Sequence, residues 1–287
     1  MAPMIMGCLL VSSLGRAGEG DLPAKPFLWK IEGKGLQKPS FLFGCDYPPS
    51  PEDFQQVEAA FAGCDILATD VPLDPESAQK ALPLISRTDG KTLQEALGDE
   101  LAAEVADEFK RIDPRLELQH FKNSKTWHIV WLLPSLKDRL MQVKTVRAVL
   151  AERAAAEGKK IQALGSYDEQ VAFFNTLSEE EQRVVMKGQL SKLRKERESE
   201  IDERSQRREF YRTGEEGPVL QEADAYLAAM FEGQPELLLR FRKGLIDDSN
   251  LLFSKRIAES LEASPSKSQF FTFSVGKPSP TAPAAPA

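Results

Sequence analysis

The stretch from Ser40 to Pro72 constrains the fold more than any other. Ser40-Phe41-Leu42-Phe43 is largely apolar and runs into Gly44, after which Cys45-Asp46-Tyr47 and the pair Pro48-Pro49 stop it. Ser50-Pro51-Glu52-Asp53 reads as a helix start: Ser50 can accept from the first amides, Pro51 suits the first helical position, and the two carboxylates favour the positive helix end. Phe54, Val57 and Phe61 then share a helical face. Asp65 to Val71 is a second strand, closed by Pro72. Strand, helix and strand within about 30 residues make a βαβ unit, which implies parallel strands. In open α/β sheets ligands sit beyond the carboxyl ends of the strands. The residues after Phe43 and the carboxylate of Asp70 are therefore the first candidates for a site.

Around this unit the chain reads as one α/β (α+β) domain over residues 23–276. Phe27 to Ile31 is a strand that pairs with Ser40–Phe43 as a hairpin, with Gly33 and Gly35 in the turn. Thr92-Leu93-Gln94-Glu95 is a capping box opening a helix to about Arg111. Helices follow over 123–133, 140–156 (ended by Gly158), 169–174, 178–212, 224–230, 235–243 and 250–261, with a short strand at 160–164. Gln269 to Val275 is a late strand. The expected architecture is a central, mostly parallel sheet with a βαβ start and a large helical insertion. Residues 277–287 are a Pro/Ala-rich tail expected to be unstructured. Between Lys192 and Glu209 seven basic and six acidic residues alternate, which reads as a solvated helical face laced with i,i+4 pairs.

Composition excludes several classes. Across 287 residues, 41% are apolar and 28% charged, an ordinary globular mix. The net charge of −7 argues against nucleic acid as a partner. No apolar run reaches the ~18 residues of a membrane span. Three cysteines show no zinc-binding spacing. Cys45 and Cys64 sit at opposite ends of parallel strands, too far apart for a disulfide. Residues 1–22 leave two readings open. Met4 to Leu14 has signal-peptide length and Gly15-Arg16-Ala17 offers small residues for cleavage, but no basic residue precedes the stretch. It is a secretory leader, which would place the protein outside the cytoplasm, or an unstructured start.

Several segments resemble the TraB/GumN family, whose animal branch is the Wnt-cleaving metalloprotease TIKI. "FLWKIEGKGLQKPSFLFG" is similar to its opening, an "LWKI" strand, a turn and a second strand ending in G-x-x-H. "ALGSYDEQVAFFNTLS" is similar to its "LExxEEQ" segment, and "AYLAAMFEGQPELLLRF" to a helix pair bearing Tyr and Gly. "DDSNLLFSKRIAESLEASPSKSQFFTFSVG" resembles its Arg-Asn helix and last strand, which ends at a second G-x-x-H. The resemblance runs from about residue 27 to 276. It implies a fold like the erythromycin-esterase and ChaN group, a divalent metal (Mn, Co or Zn) and a peptide or protein substrate. Two histidines with a carboxylate could hold such an ion with a position open for water, whose pKa the ion lowers.

This chain departs from that pattern at five positions. Gly44-Cys45-Asp46-Tyr47 has Tyr47 where the first histidine belongs. The family's E-x-D reads Ala68-Thr69-Asp70, keeping only Asp70. In the LExxEEQ segment Gly165 replaces the first glutamate, while Glu169 and Gln170 remain. Ser249 replaces the arginine before Asn250, and after Gly276 the chain turns to Lys277-Pro278 without the second histidine. His120 and His128 match neither motif; His120 is expected to be exposed and His128 to lie on a core-facing helix surface. The expectation is a scaffold with impaired metal chemistry. Alternatives remain: an active metalloendopeptidase in which Asp46, Asp70 or His128 substitutes as ligand, or a truncated gene model whose true end continues past Gly276.

Overall fold

The structure, a computed structural model, describes residues 10–13, 27–33, 35–44, 51–199 and 216–273. Six strands form one sheet: β1 (Leu10–Ser13), β2 (Leu28–Glu32), β3 (Ser40–Gly44), β4 (Ile66–Thr69), β5 (Lys160–Ala163) and β6 (Gln269–Phe273). Their order is β1-β2-β3-β6-β4-β5. The first two pairings are antiparallel, and β3·β6, β6·β4 and β4·β5 are parallel. The hairpin, the βαβ direction and the late strand all appear. One detail differs. β3 and β4 run parallel without touching, because β6 enters between them, pairing Phe41 with Phe270 and Ile66 with Gln269. In that central place Phe270 and Phe271 are fully enclosed.

Side-chain alternation divides the sheet into two faces. On one, Leu28, Phe43, Leu67 and Phe270 pack under α1 (Pro51–Ala62) and a later helix (Val146–Ala156), through Val57, Phe61, Leu150 and Ala154. Phe61 meets Phe270 edge-on at 5.4 Å. The other face carries Ile31, Leu42, Ala68 and Phe271 and is covered by the helix Asp248–Ala263, through Ile257 and Leu261. Gln162, Ser260 and Gln269 lock that helix to the sheet: Gln162 Nε2 donates to Ser260 Oγ at 2.8 Å and Ser260 Oγ to Gln269 Oε1 at 2.6 Å.

The insertion adds a second hydrophobic layer, although its helix Val146–Ala156 packs on the sheet instead. It comprises α2 (Pro75–Ile85), α3 (Leu93–Leu97), α4 (Asp99–Ile112), α5 (Thr126–Leu140), α6 (Val146–Ala156), α7 (Tyr167–Ala172), α8 (Glu179–Glu198), α9 (Glu216–Met230) and α10 (Pro235–Phe241), followed after a π-helical turn (Arg242–Asp247) by α11 (Asp248–Ala263). Phe109, Ile129, Met186, Met230 and Phe241 lie at its centre. An aromatic chain joins α5 and α10 to the 3-10 turn after α7 (Phe174–Thr176) and to the residue after α9. Trp127 stacks on Phe174 at 4.9 Å, Trp131 on Phe241 at 5.7 Å, and Phe231 meets Phe241 at 4.9 Å.

Two local expectations change. The helix opened by the Thr92 capping box breaks after five residues, because Gly98 takes φ +78°, which helix continuation forbids. Asp99 then starts a new helix on a different axis. The charged stretch after Lys192 is more than a solvated face. Lys192 is buried beside the Tyr226 ring, and Arg197 reaches Glu108 across the layer at 2.7 Å. The described part of that helix ends at Glu198; residues 200–215 lie outside the described residues. Cys64 is a free, buried thiol, and burial pushes its pKa up. Cys45, with which it was expected not to pair, lies outside the described residues. Among the described residues no helix is long and apolar enough to cross a membrane.

Candidate functional site

The four parallel strands end along one edge, and the segments beyond them build the candidate site. β4 runs into Asp70, which is 1% exposed. Its Oδ1 accepts the Val71 amide at 3.1 Å and Arg147 Nη1 at 2.6 Å. Arg147 stands in the first turn of α6, one residue after Val146, which anchors that turn in the core. A cation near a helix N-terminus opposes the helix dipole, so its position makes sense through the carboxylate it meets. Thr69 Oγ1 donates to Val71 O at 2.7 Å and Tyr167 Oη to Pro72 O at 2.8 Å. Both hydroxyls thus fix the turn that presents Asp70.

The second pair joins α7 to α11. Arg256 donates from Nη1 to Glu169 Oε2 at 2.8 Å and from Nη2 to Glu169 Oε1 at 2.6 Å, a bidentate fork. Glu169 also closes a capping box with Ser166 at the start of α7. Arg256, with the help of the Ser166 amide, holds the Glu169 carboxyl down to about 2. Gly165 lies between the pairs. A Cβ there would come within 2.8 Å of Asp70 O, 3.2 Å of Arg256 Nη1 and 3.3 Å of Glu169 Oε2.

The structure thus brings Asp70, Gly165 and Glu169 together at the strand ends. Ala68 lies one pleat deeper, fully buried among Ile31, Leu42, Leu261 and Phe271. Gly44 closes β3 with its amide on Phe27 O. Gln170 is half-buried on α7, and Asn250 is half-buried in the first turn of α11, six residues before Arg256. Cys45, Asp46, Tyr47 and Gly276 lie outside the described residues. Neither histidine joins this edge. His120 is exposed and its Nδ1 accepts the Glu117 amide. His128 is half-buried on α5 beside Trp127, and burial lowers its pKa.

Sequence reasoning missed both arginines. Arg256 had a readable signal: Phe253, Ile257, Ser260 and Leu261 mark the inward stripe of α11, and position 256 falls inside it. A charge in such a stripe calls for a partner.

The Glu169–Arg256 pair gives a pH prediction. The folded pKa of about 2 lies below the ordinary value of 4.5, so this contribution is complete above pH 4.5 and fades as pH falls towards 2. Glu169 is 43% exposed, which limits the pair to about 1 kcal/mol or less. Arg256→Gln should lose that much at neutral pH and narrow its deficit to wild type at pH 2–3, as read from urea midpoints across pH. A deficit that stays constant with pH would refute the pairing.

Comparison with curated proteins and with solved structures gives no match. A model of the TraB/PrgY/gumN family matches residues 27–276. That span runs from the start of β2 past the end of β6 and contains both ion pairs, and by it the chain belongs to the TraB/PrgY/gumN family.

Proposed function

We propose that this protein is a TIKI-like member of its family in which metal-dependent peptidase chemistry is lost or strongly weakened. It would serve as a binding module that takes a peptide or protein ligand in the crevice at the strand ends. The observation that carries this reading is the Arg256 fork on Glu169, set against Gly165. A divalent ion needs carboxylates or imidazoles with lone pairs turned towards it. Here one retained carboxylate is held by a bidentate guanidinium and the other accepts a second guanidinium. The positions of the two missing glutamates are a dry apolar contact (Ala68) and a spot already crowded at Cβ distance (Gly165). Among the described residues no group of three or more His, Cys, Asp and Glu is placed to hold an ion. The described donor set thus supports a reading in which no catalytic metal is held.

The test uses the full chain loaded with Mn²⁺, Co²⁺ or Zn²⁺, desalted, assayed for bound metal and incubated with a peptide library read by mass spectrometry. The expected result is metal well below one equivalent and no cleavage beyond that of Asp70→Asn. One equivalent of metal with cleavage that Asp46→Ala and Asp70→Ala abolish would instead establish an active metalloendopeptidase with substituted ligands.

A further inference from the structure

The turn between α5 and α6 exposes apolar side chains that the fold does not use. Leu140 is 46%, Met141 57% and Val143 42% exposed, and every residue from Arg139 to Thr145 is exposed. Such a run of large apolar residues on an open turn marks a contact surface rather than a stray side chain. The turn is also firmly built. Val143 N bonds to Asp138 O at 2.9 Å and Gln142 N to Arg139 O at 3.0 Å, the paired bonds of a Schellman motif. Gln142 takes φ +55° in the left-handed position that glycine normally fills. These bonds fix the backbone that carries the apolar tip.

Charge says what the tip meets. The chain as a whole carries −7, yet residues 137–147 hold four cations (Lys137, Arg139, Lys144 and Arg147) and one carboxylate (Asp138), with Glu152 and Asp70 meeting two of the four from outside that stretch. Lys144 bonds to Glu152 at 2.7 Å and Arg147 to Asp70, while Lys137 and Arg139 flank the tip at the end of α5. A second copy related by a two-fold axis would set the same cations against each other. A planar anionic surface satisfies both features: acyl chains accept the apolar tip, and headgroups accept the cations around it. We propose that Leu140, Met141 and Val143 form a membrane-contacting tip that seats this protein on an anionic lipid surface.

The test is co-sedimentation of the full chain with vesicles of phosphatidylcholine alone and of phosphatidylcholine mixed with phosphatidylserine. Binding to the mixed vesicles is expected, about tenfold weaker to the neutral ones and falling with added salt. Leu140→Asp/Met141→Asp should weaken it about tenfold or more with an unchanged melting temperature. Should that variant misfold, Lys137→Gln/Arg139→Gln keeps the apolar tip and should lose most of the salt dependence. No binding to mixed vesicles, equal binding to both kinds, or full binding by these variants would overturn the proposal. So would a concentration-dependent dimer that the double aspartate variant disperses, which would assign the tip to a second copy.

Discussion

Ala68→Glu, which supplies a carboxylate where the family resemblance calls for one, should destabilise this protein by about 3 kcal/mol or more. Ala68 is 0% exposed, and its strand is hydrogen-bonded on both sides, with Phe271 and Gln162 as register partners. Leu42, Ile31 and Leu261 close the space above it. Four added heavy atoms overpack that cluster, which alone costs about 1–3 kcal/mol. The carboxylate adds a second penalty, either as an unpaired buried charge or as an acid forced to stay protonated. The nearest charged groups do not offset it, since Arg256 is committed to Glu169 and Arg147 to Asp70. Total stabilities of domains run to only about 5–15 kcal/mol, so the loss would be large. The check is a urea midpoint that falls with an unchanged m-value. A midpoint that stays put, or that Mn²⁺ raises, would mean that the crevice opens for a ligand set, against the proposed function.

That expectation explains why part of the site was legible in the sequence and part was not. Ala68 and Gly165 could be singled out from the chain alone, because the family resemblance leads one to expect acids at both. Their replacements could not, because Arg147 and Arg256 belong to no motif and meet their carboxylates across 77 and 87 residues of chain. Strands were readable because β3, β4 and β6 are short apolar runs ended by Gly, Pro or polar residues. Their spatial order was not, since nothing local tells β6 to enter between β3 and β4 rather than extend an edge. The Thr92 capping box was readable and correct, but the break at Gly98 was not, because it rests on a positive φ that no neighbouring residue announces. Lys192 likewise hid in a charged run whose burial depends on Tyr226, 34 residues later.

Gly188→Ala should have the second large effect, and there two principles oppose each other. Helix propensity alone predicts a gain of up to about 1 kcal/mol, because Gly188 lies in the interior of α8. Packing predicts the reverse. A Cβ at 188 would sit 1.9 Å from Met230 O and 2.7 Å from its carbonyl carbon, at the crossing of α8 with the end of α9. The atoms it strikes are backbone, so no rotamer change relieves the contact and α9 itself must move. Overpacking of this kind costs about 1–3 kcal/mol or more, and the rigid obstacle sets the net loss near 2 kcal/mol. Gly217→Ala, where an added Cβ meets nothing within 4 Å, is the matched control and should not destabilise. The consequence extends to the site. Met230 is followed by Phe231, which packs on Phe241; Phe241 ends α10, and the π-helical turn after it leads into α11 and Arg256. Displacing α9 should therefore disturb the near-ultraviolet signal of Trp127 and Trp131, which share the Phe174 and Phe241 rings, together with the fall in melting temperature. A lower melting temperature with an unaltered aromatic signal would confine the damage to the helix crossing and uncouple the helical layer from the arginine that holds Glu169.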